Sequence, residues 1–323
     1  MMKKIMKLSL ACIALGIVAT AHGAENYPDR PITLVIGFPP GGGADNVGRV
    51  YANNLSKVLK QPVVVENRPG AGSTIGAAQV AKAKPDGYTL YLGNSSVMGS
   101  DSILYNVNYT ADDFMPVARL TIAPMILIAS KASGINSIQD LIKRAKEFPD
   151  KLNVASSGNG VITHLAAVEF MGISHTKFMH IPFKGGAPAT QSVAAGDTDI
   201  SFATAPSARA VIDTGKVIGL GITTSEASSL VPQYQPISEL GVPGYNVSNW
   251  WGVFVPKGTP QGVIDVLFKA TNEVLADAGV QQSLANNYEE AKPSASVEEF
   301  ARFARQEGEQ GLRLAKASLE TVN

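Results

Sequence analysis

From residue 32 onward, short apolar runs alternate with longer amphipathic stretches. The run "ITLVIGF" (32–38) has the length and composition of a strand, and "ADNVGRVYANNLSKVLK" (44–60) follows it with its apolar residues on one helical face. The runs "PVVVEN" (62–67), "GAGSTIGAAQVAKA" (70–83) and "GYTLYLG" (87–93) then repeat the order strand, helix, strand. Because this order favours parallel strands with helices packed on both faces, the sequence predicts an α/β fold built on a mostly parallel sheet.

A second set of strands and helices begins after "MPVARLTIAPMILIAS" (115–130), an apolar run too long for one ordinary strand. Further strands are predicted at 152–160, 178–186, 199–205, 216–224 and 250–256, and further helices at 137–148, 161–172, 260–287 and 296–320. We therefore expect a second lobe, residues 123–224, to be inserted into a first lobe that consists of residues 24–122 and 225–323. The chain would cross between the lobes near 120–124 and near 222–226.

The N-terminal residues 1–23 are predicted to be a secretory signal peptide. Three lysines precede an apolar stretch from Leu8 to Val18, which is shorter than a membrane span, and Ala21-His22-Gly23 offers small residues for cleavage before Ala24. The single cysteine, Cys12, lies inside this segment, so the mature chain would have none. We therefore expect an exported protein that is stable without disulfide bonds.

The formal charge argues against one group of partners. The chain has 27 basic and 27 acidic side chains, and loss of the signal peptide would remove three lysines and no acids, which leaves 24 and 27. A balance so close to zero argues against nucleic acid, and against an anionic membrane surface, as the partner.

The turn "GFPPGGGADN" (37–46) is rich in glycine, lies between a predicted strand and helix, and contains no Lys or Arg. It is not a phosphate loop of the G-x-x-x-x-G-K-[ST] type. The amides at a helix N-terminus are unpaired and partly positive, however, and glycines let a ligand approach them closely. A plain tight turn is the alternative for any one such segment. Similar turns occur at "NRPGAGSTIGA" (67–77), "SSGNG" (156–160) and "FKGGAPA" (183–189), so we expect amides on both sides of one cleft that closes on an anion.

Catalytic motifs are scarce in the sequence. G-x-S-x-G does not occur, and His175 and His180 lack the spacing of metal ligands, so neither a metal nor a cofactor is expected. His164 is interpreted as a structural residue that bonds a loop carbonyl, with an exported Ser/His hydrolase kept as an alternative. Asp45 is expected to cap its helix and to pair with Arg49.

Six motifs, taken in order, resemble those of the extracytoplasmic solute receptors of tripartite tricarboxylate transporters, the Bug receptors. They are "YPDRPITLVIGFPPGGGAD", "VVVENRPGAGSTIGA", "AKPDGYTLYLG", "LNVASSGNGVITHLAAVEF", "HIPFKGGAPA" and "WWGVFVPKGTP", and the resemblance runs from about Tyr27 to the C-terminus. It implies a two-lobed periplasmic-binding-protein-like fold, in which each lobe is a mostly parallel sheet flanked by helices and the ligand cleft lies between the lobes.

The resemblance also implies a function. It indicates a receptor, not an enzyme, that captures a small organic carboxylate and delivers it to the membrane permease subunits of a tripartite transporter. Di- and tricarboxylates, acidic amino acids and aromatic carboxylates all fit. A sensor subunit that presents its ligand-bound form to a signalling partner would use the same closed state and stays open as an alternative. We expect a monomer, because the cleft must hinge.

In this family, backbone amides and bridging waters from both lobes hold the carboxylate of the ligand. Carried over position by position, the resemblance implies a ligand-binding set of Phe38, Pro39, Pro40, Gly41, Gly42, Gly43, Gly72, Ser73, Thr74, Asn94, Ser95, Ser96, Ser156, Ser157, Gly158, Asn159, Thr163, His164, Lys184, Gly185, Gly186, Thr204, Ala205 and Ser207.

Overall fold

The computed structural model describes residues 27–320, so the predicted signal peptide, with Cys12 and the cleavage site, lies outside the described residues. The strands are β1 (Ile32–Ile36), β2 (Val63–Asn67), β3 (Thr89–Gly93), β4 (Phe114–Ser130), β5 (Asn153–Ser156), β6 (Met179–Pro182), β7 (Ile200–Thr204), β8 (Val217–Ile222), β9 (Ser248–Pro256) and β10 (Glu290–Ala291). The helices are α1 (Gly43–Leu59), α2 (Thr74–Ala81), α3 (Ser95–Met98), α4 (Asp101–Leu104), α5 (Ile138–Glu147), α6 (Ile162–Ser174), α7 (Gly186–Ala195), α8 (Ala205–Ile212), α9 (Gln261–Ala276), α10 (Ala278–Ala285) and α11 (Val297–Glu320).

The helix α1 shows how the sequence pattern produces these elements. Its buried apolar residues Ala44, Val47, Tyr51 and Leu55 recur every three or four positions, so they form one stripe that packs on the sheet. Val47 and Leu55 each contribute about 1.5–3 kcal/mol when fully buried, and the single methyl group of Ala44 contributes about 0.8 kcal/mol. The helix ends at Lys60, which takes a left-handed conformation (φ 56°).

The strands form one curled sheet with two parallel centres. Strand β1 lies between β2 and β3, and β5 lies between β6 and β7, all in parallel pairs. Antiparallel strands complete the sheet, in the order β2-β1-β3-β9-β4-β7-β5-β6, with β8 and β10 also paired to β4. The predicted α/β architecture of two lobes with helices on the sheets is confirmed, and antiparallel strands join its two parallel centres.

The apolar run at 115–130 forms a single strand of 17 residues, β4. Residues 114–124 pair with β9, whereas residues 125–130 pair with β7 and β8. The register shifts twice along β9, once past Pro116 and once past Arg119. The run is long because one strand contributes to the sheets of both lobes, and the first crossing predicted near 120–124 lies within it.

The return of the chain to the first lobe involves residues 223–247. Ile237, Val242 and Tyr245 lie in the same apolar cluster as Phe170 and Phe202 of the second lobe. The boundaries at 122/123 and 224/225 remain predictions. Because these side chains pack in the second lobe, we propose that the return lies close to the start of β9.

Two helix ends differ from the sequence expectations. The helix expected at 260–287 is two helices, because Asp277 is extended (φ −70°, ψ 125°) and its side chain accepts a hydrogen bond from the Val280 amide at 2.9 Å. The helix predicted at 161–172 extends past Gly172 to Ser174. His175 (φ 53°) ends it in a left-handed conformation.

Helix α11 packs against both lobes. Phe300 and Phe303 contact the edge of Trp250 in the first lobe. Farther along, Leu314 packs with Leu165 and Val168 of α6 in the second lobe. Within residues 27–320, no helix combines the length and the apolar character that a membrane span requires.

Candidate functional site

A cavity of about 240 Å³ lies where the turns after β1, β5, β6 and β7 lead into α1, α6, α7 and α8. Ligands of open α/β sheets commonly bind at these carboxyl ends of strands. The residues of the expected set that line the cavity are Phe38, Pro39, Pro40, Gly41, Gly42, Gly43, Asn94, Ser157, Thr163, Lys184, Gly185, Gly186, Thr204 and Ser207. The structure therefore brings both lobes' glycine-rich turns together around one space.

Four helices begin at the wall of this cavity, and none of the four has a side-chain N-cap. In contrast, Ser137 caps α5 and Asp277 caps α10, both away from the cavity. The first amides of a helix have no partner within the helix, so an uncapped N-terminus leaves them to another acceptor. The arrangement suits an anion, which the helix dipoles also favour.

The turn between β1 and α1 is held from behind by Asp45. Its carboxylate accepts hydrogen bonds at 2.9 Å from the Gly41 amide, from Asn67 Nδ2 and from Arg49 Nε. The expected pair of Asp45 with Arg49 is therefore present, but the Gly41 amide is already engaged and is not one of the free amides of the cleft. Burial acts to raise the pKa of Asp45, but the hydrogen bonds from Arg49, Gly41 and Asn67 outweigh it and hold the pKa below its ordinary value.

The turn between β5 and α6 is braced by a side chain from the helix that it precedes. Thr163 Oγ1 accepts a hydrogen bond from the Ser157 amide at 3.0 Å and contacts Ser157 Oγ at 2.8 Å. The same turn is tied to the next one, because the Gly185 amide donates to the Ser157 carbonyl at 3.2 Å. A backbone hydrogen bond thus links the two turns of the second lobe directly.

Behind this turn lies a pair of histidines. The rings of His164 and His180 stack with centroids 3.7 Å apart, and His180 Nε2 lies 2.6 Å from Ser156 Oγ. His164 Nδ1 accepts a hydrogen bond from the Gly160 amide at 3.0 Å, so the expectation of a bond to a loop carbonyl is wrong. Burial lowers the pKa of His164 to about 3, with a further effect of His180, and burial lowers that of His180 to about 4.

The remaining expected residues lie outside the lining of this cavity: Gly72, Ser73, Thr74, Ser95, Ser96, Ser156, Gly158, Asn159, His164 and Ala205. Several of them support the turns that do line it. Ser73 packs against the backbone of Gly37, where a Cβ would come within 2.6 Å of the serine side chain. Ser156 Oγ donates to the Gly158 carbonyl at 2.9 Å. The carbonyl of Asn159 accepts a hydrogen bond at 2.6 Å from Tyr105 of the first lobe, which joins the lobes at this point.

Ten lining residues were not anticipated: Ala44, Ile162, Ala187, Pro188, Ala189, Thr190, Ser201, Ala203, Asn249 and Trp251. The floor is formed by Trp251, whose ring packs edge-on against Phe38 with centroids 5.6 Å apart. Asn249 and Trp251 occupy alternate positions of β9 and line the same cavity, whereas Trp250 is buried on the opposite face. The sequence signal was Asn249, the second of two polar residues at the start of the apolar strand "SNWWGVFVP".

The lining carries little charge. Among the described residues, Lys184 is the one charged side chain in it, and it is exposed. No group of three or more His, Cys, Asp or Glu side chains within 27–320 is placed to hold a metal ion. Polar contacts in this cavity therefore come from neutral groups and from one lysine at the rim.

A second cavity, of about 540 Å³, adjoins the first and shares Gly41, Gly43 and Ser207 with it. Arg209 lies in its wall, over the ring of Tyr288 at 5.3 Å from the centroid. Because both cavities border the turn between β1 and α1, a movement of that turn changes both.

The fold and the cleft define a two-lobed solute-binding protein of the periplasmic type. Residues 47–318 match the family described as the tripartite tricarboxylate transporter family receptor. The chain belongs to this family, and the predicted resemblance to Bug receptors is confirmed.

Three solved structures are similar over nearly the whole chain. MatC from Rhodopseudomonas palustris with bound malate is 30% identical, with a TM-score of 0.82 over 90% of this chain and 100% of that one. A second R. palustris protein, solved with adipate, is 28% identical, with a TM-score of 0.84 over 90% and 98% of the two chains. The periplasmic binding protein BugD is 32% identical, with a TM-score of 0.81 over 90% and 99%.

These relatives are binding proteins, so this chain is a solute-binding protein and not an enzyme. The hydrolase alternative is thereby excluded. Its family is periplasmic.

Proposed function

We propose that this protein captures a small organic carboxylate in the cleft and delivers it to the membrane permease subunits of a tripartite transporter. The single observation that carries the proposal is the set of four uncapped helix N-termini around one cavity. A carboxylate there would accept hydrogen bonds from backbone amides of both lobes. The malate and adipate in the two R. palustris structures support this ligand class.

The cavity also limits the size of the ligand. Its volume of about 240 Å³ is below the roughly 300–1,000 Å³ of pockets that hold drug-sized molecules. Di- and tricarboxylates, acidic amino acids and small aromatic carboxylates remain the proposed classes, and Trp251 and Phe38 would contact their apolar parts. We propose that the protein acts in the periplasm as a monomer, after cleavage of residues 1–23.

Neutral donors suit a receptor that must release what it binds. A hydrogen bond from an amide to a carboxylate is already charge-assisted, but a buried arginine would add a full positive charge and two parallel N–H donors, so it would hold a carboxylate more tightly. Amides fixed in a closed cleft are also shielded from salt, whereas attraction to an exposed lysine is screened over about 8 Å at physiological ionic strength.

The test is a thermal-shift screen of carboxylates on the purified protein, followed by calorimetric titration of each hit. A ligand at about 100 times its Kd should stabilise the protein by about 2.7 kcal/mol. Small-angle scattering should show a more compact particle with ligand than without. Failure of every carboxylate to bind would overturn the proposal, and so would steady product release from a bound one.

The role of the amides is tested separately with Lys184→Ala and with salt. We expect less than about a tenfold change in Kd in either case. Loss of all binding in Lys184→Ala would mean that the lysine, and not the helix N-termini, holds the carboxylate.

A further inference from the structure

Asn249 lies in the floor of the cavity with no hydrogen bond to its side chain. It is 2% exposed, and among the described residues neither its Nδ2 nor its Oδ1 has a partner. The residue opposite it on β4 is Ala123, which offers no polar side-chain atom. The structure therefore places an unpaired amide within the wall of the proposed ligand site.

A buried polar group without a partner is costly, and proteins seldom retain one without a reason. An asparagine amide has two N–H donors and an acceptor oxygen side by side. A partner that satisfies both edges must itself present an acceptor next to a donor. Because Asn249 lines the cavity and is otherwise buried, that partner must be a group that occupies the cavity.

The polar groups beside Asn249 do not bond to it. Thr121, which lies opposite Trp251 on β4, donates through Oγ1 to Glu289 at 2.7 Å. Trp251 Nε1, like the Asn249 amide, is buried without a hydrogen-bond partner among the described residues. The amide of Asn249 is therefore available to the ligand.

We propose that Asn249 selects ligands whose distal end is a neutral group that both donates and accepts, a primary amide or a hydroxyl. This inference rests on the proposed function, in which the helix N-termini hold a carboxylate at the other end. A second carboxylate is a poorer match, because it offers acceptors only and would place a negative oxygen against Oδ1. An apolar end is the poorest match, because it leaves the whole amide unpaired.

The experiment compares ligands that differ only at the distal end. The amide-ended probes are succinamate, glutaramate and adipamate, and 4-hydroxybutyrate is the hydroxyl-ended one. The carboxylate-ended set is succinate, glutarate and adipate, and the methyl-ended set is butyrate, valerate and hexanoate. For the best chain length, we expect the amide-ended or hydroxyl-ended probe to bind at least tenfold tighter than the methyl-ended one, and tighter than the dicarboxylate.

Two variants attribute the preference to Asn249. Asn249→Leu keeps the branching at Cγ, with a somewhat larger volume, and removes both hydrogen-bonding edges, so the preference for the amide or hydroxyl end should disappear while methyl-ended probes bind as well or better. Asn249→Asp keeps the shape of the side chain but replaces the N–H donors with a second acceptor oxygen. It should therefore weaken the binding of dicarboxylates further, because like charges repel. If Asn249→Leu does not fold, Asn249→Asp still decides the question.

The matched control is Asn272→Leu on α9. Its Oδ1 is also buried without a partner, but the residue does not line the cavity, so this change should leave the ligand ranking unaltered. Binding with equal affinity across the distal groups, or a ranking that Asn249→Leu leaves unchanged, would overturn the inference while the proposed function stands. Absence of binding by every probe would overturn the inference, and the proposed function falls as well only if the wider carboxylate screen also finds no ligand.

Discussion

The imidazole rings of His164 and His180 lie parallel, 3.7 Å apart and inclined by only 6°, behind the turn that opens the second lobe's side of the cleft. Two positive rings would repel each other at this distance, so the pair disfavours double protonation, and burial favours the neutral form of each ring. His164 bonds the Gly160 amide, and His180 bonds Ser156, which in turn bonds the Gly158 carbonyl. The conformation of the turn is therefore linked to the protonation of two residues that do not line the cavity.

We expect the protein to lose stability on acidification through this pair. Both pKa values lie below the ordinary value of 6.5, at about 3 for His164 and about 4 for His180. Between pH 6.5 and 4, the unfolded chain binds protons that the folded chain does not, so the free energy of unfolding falls as the pH falls through this window. NMR titration of the ring protons should show both histidines neutral at pH 5. A midpoint near 6.5 for either ring would contradict the prediction.

Asp45→Ala should destabilise the protein and weaken ligand binding. The change leaves the Gly41 amide and Asn67 without their shared acceptor, and the loss of each of these partly buried hydrogen bonds costs about 0.5–1.5 kcal/mol. Urea unfolding and calorimetric titration measure the two effects. Arg49→Ala is the control, since that side chain is about half exposed and its removal leaves the bond of Asp45 to Gly41 in place. If both variants lost the same stability and the same ligand affinity, the ion pair between Asp45 and Arg49 would account for the effect, and the bond of Asp45 to the turn would not.

Gly41→Ala should weaken ligand binding through backbone strain alone. Gly41 has φ +85°, and a Cβ built there has no neighbour within 4 Å, so no clash contributes. The left-handed conformation costs a residue with a Cβ roughly 1–2 kcal/mol, which should shift the turn that lines the cavity. Gly172→Ala in α6 is the matched control, because it also has open space around it but lies in regular helix, and it should stabilise the protein by about 0.5–1 kcal/mol. Unchanged affinity in Gly41→Ala would mean that the turn tolerates the rearrangement.

Glu289→Gln should make the protein less sensitive to alkaline pH. Burial raises the pKa of Glu289 from 4.5 to about 8, against the opposing hydrogen bond from Thr121. Between these values the folded chain keeps a proton that the unfolded chain loses. The stabilisation is therefore fully present below pH 4.5 and is lost as the pH rises to 8, by at most about 1.4 kcal/mol per pH unit.

The measurement is urea unfolding of wild type and Glu289→Gln at a series of pH values. Gln stays neutral and can still accept the bond from Thr121, so the two proteins should match near pH 4.5, and the variant should be the more stable one at pH 9. Burial raises the pKa of Asp101 as well, to about 7, but that contribution is common to both proteins and cancels in the comparison. Parallel stability curves would show that Glu289 is already ionised in the folded state.

Much of the fold could be predicted because its determinants are local. The apolar spacing of Val47, Tyr51 and Leu55 favours a helix whatever distant parts of the chain do. The glycines at 41–43 favour a turn before it. The same local signals placed Gly42, Ser157 and Gly185 at strand-to-helix turns, and all three line the cavity. The break at Asp277 was missed, because the apolar pattern continues through a residue whose capping role depends on backbone conformation.

The sequence by itself thus determined the strands, the helices and the glycine turns where amides become available. Only the tertiary structure decided which of these turns share a cavity, that β4 serves both lobes, and that Asn249 and Trp251 form the floor. The physical reason is the distance along the sequence between the residues that interact. Backbone conformation and amphipathic spacing depend on neighbours a few residues away, whereas the surroundings of Asn249 depend on β9 lying between β3 and β4, strands more than a hundred residues distant in the chain.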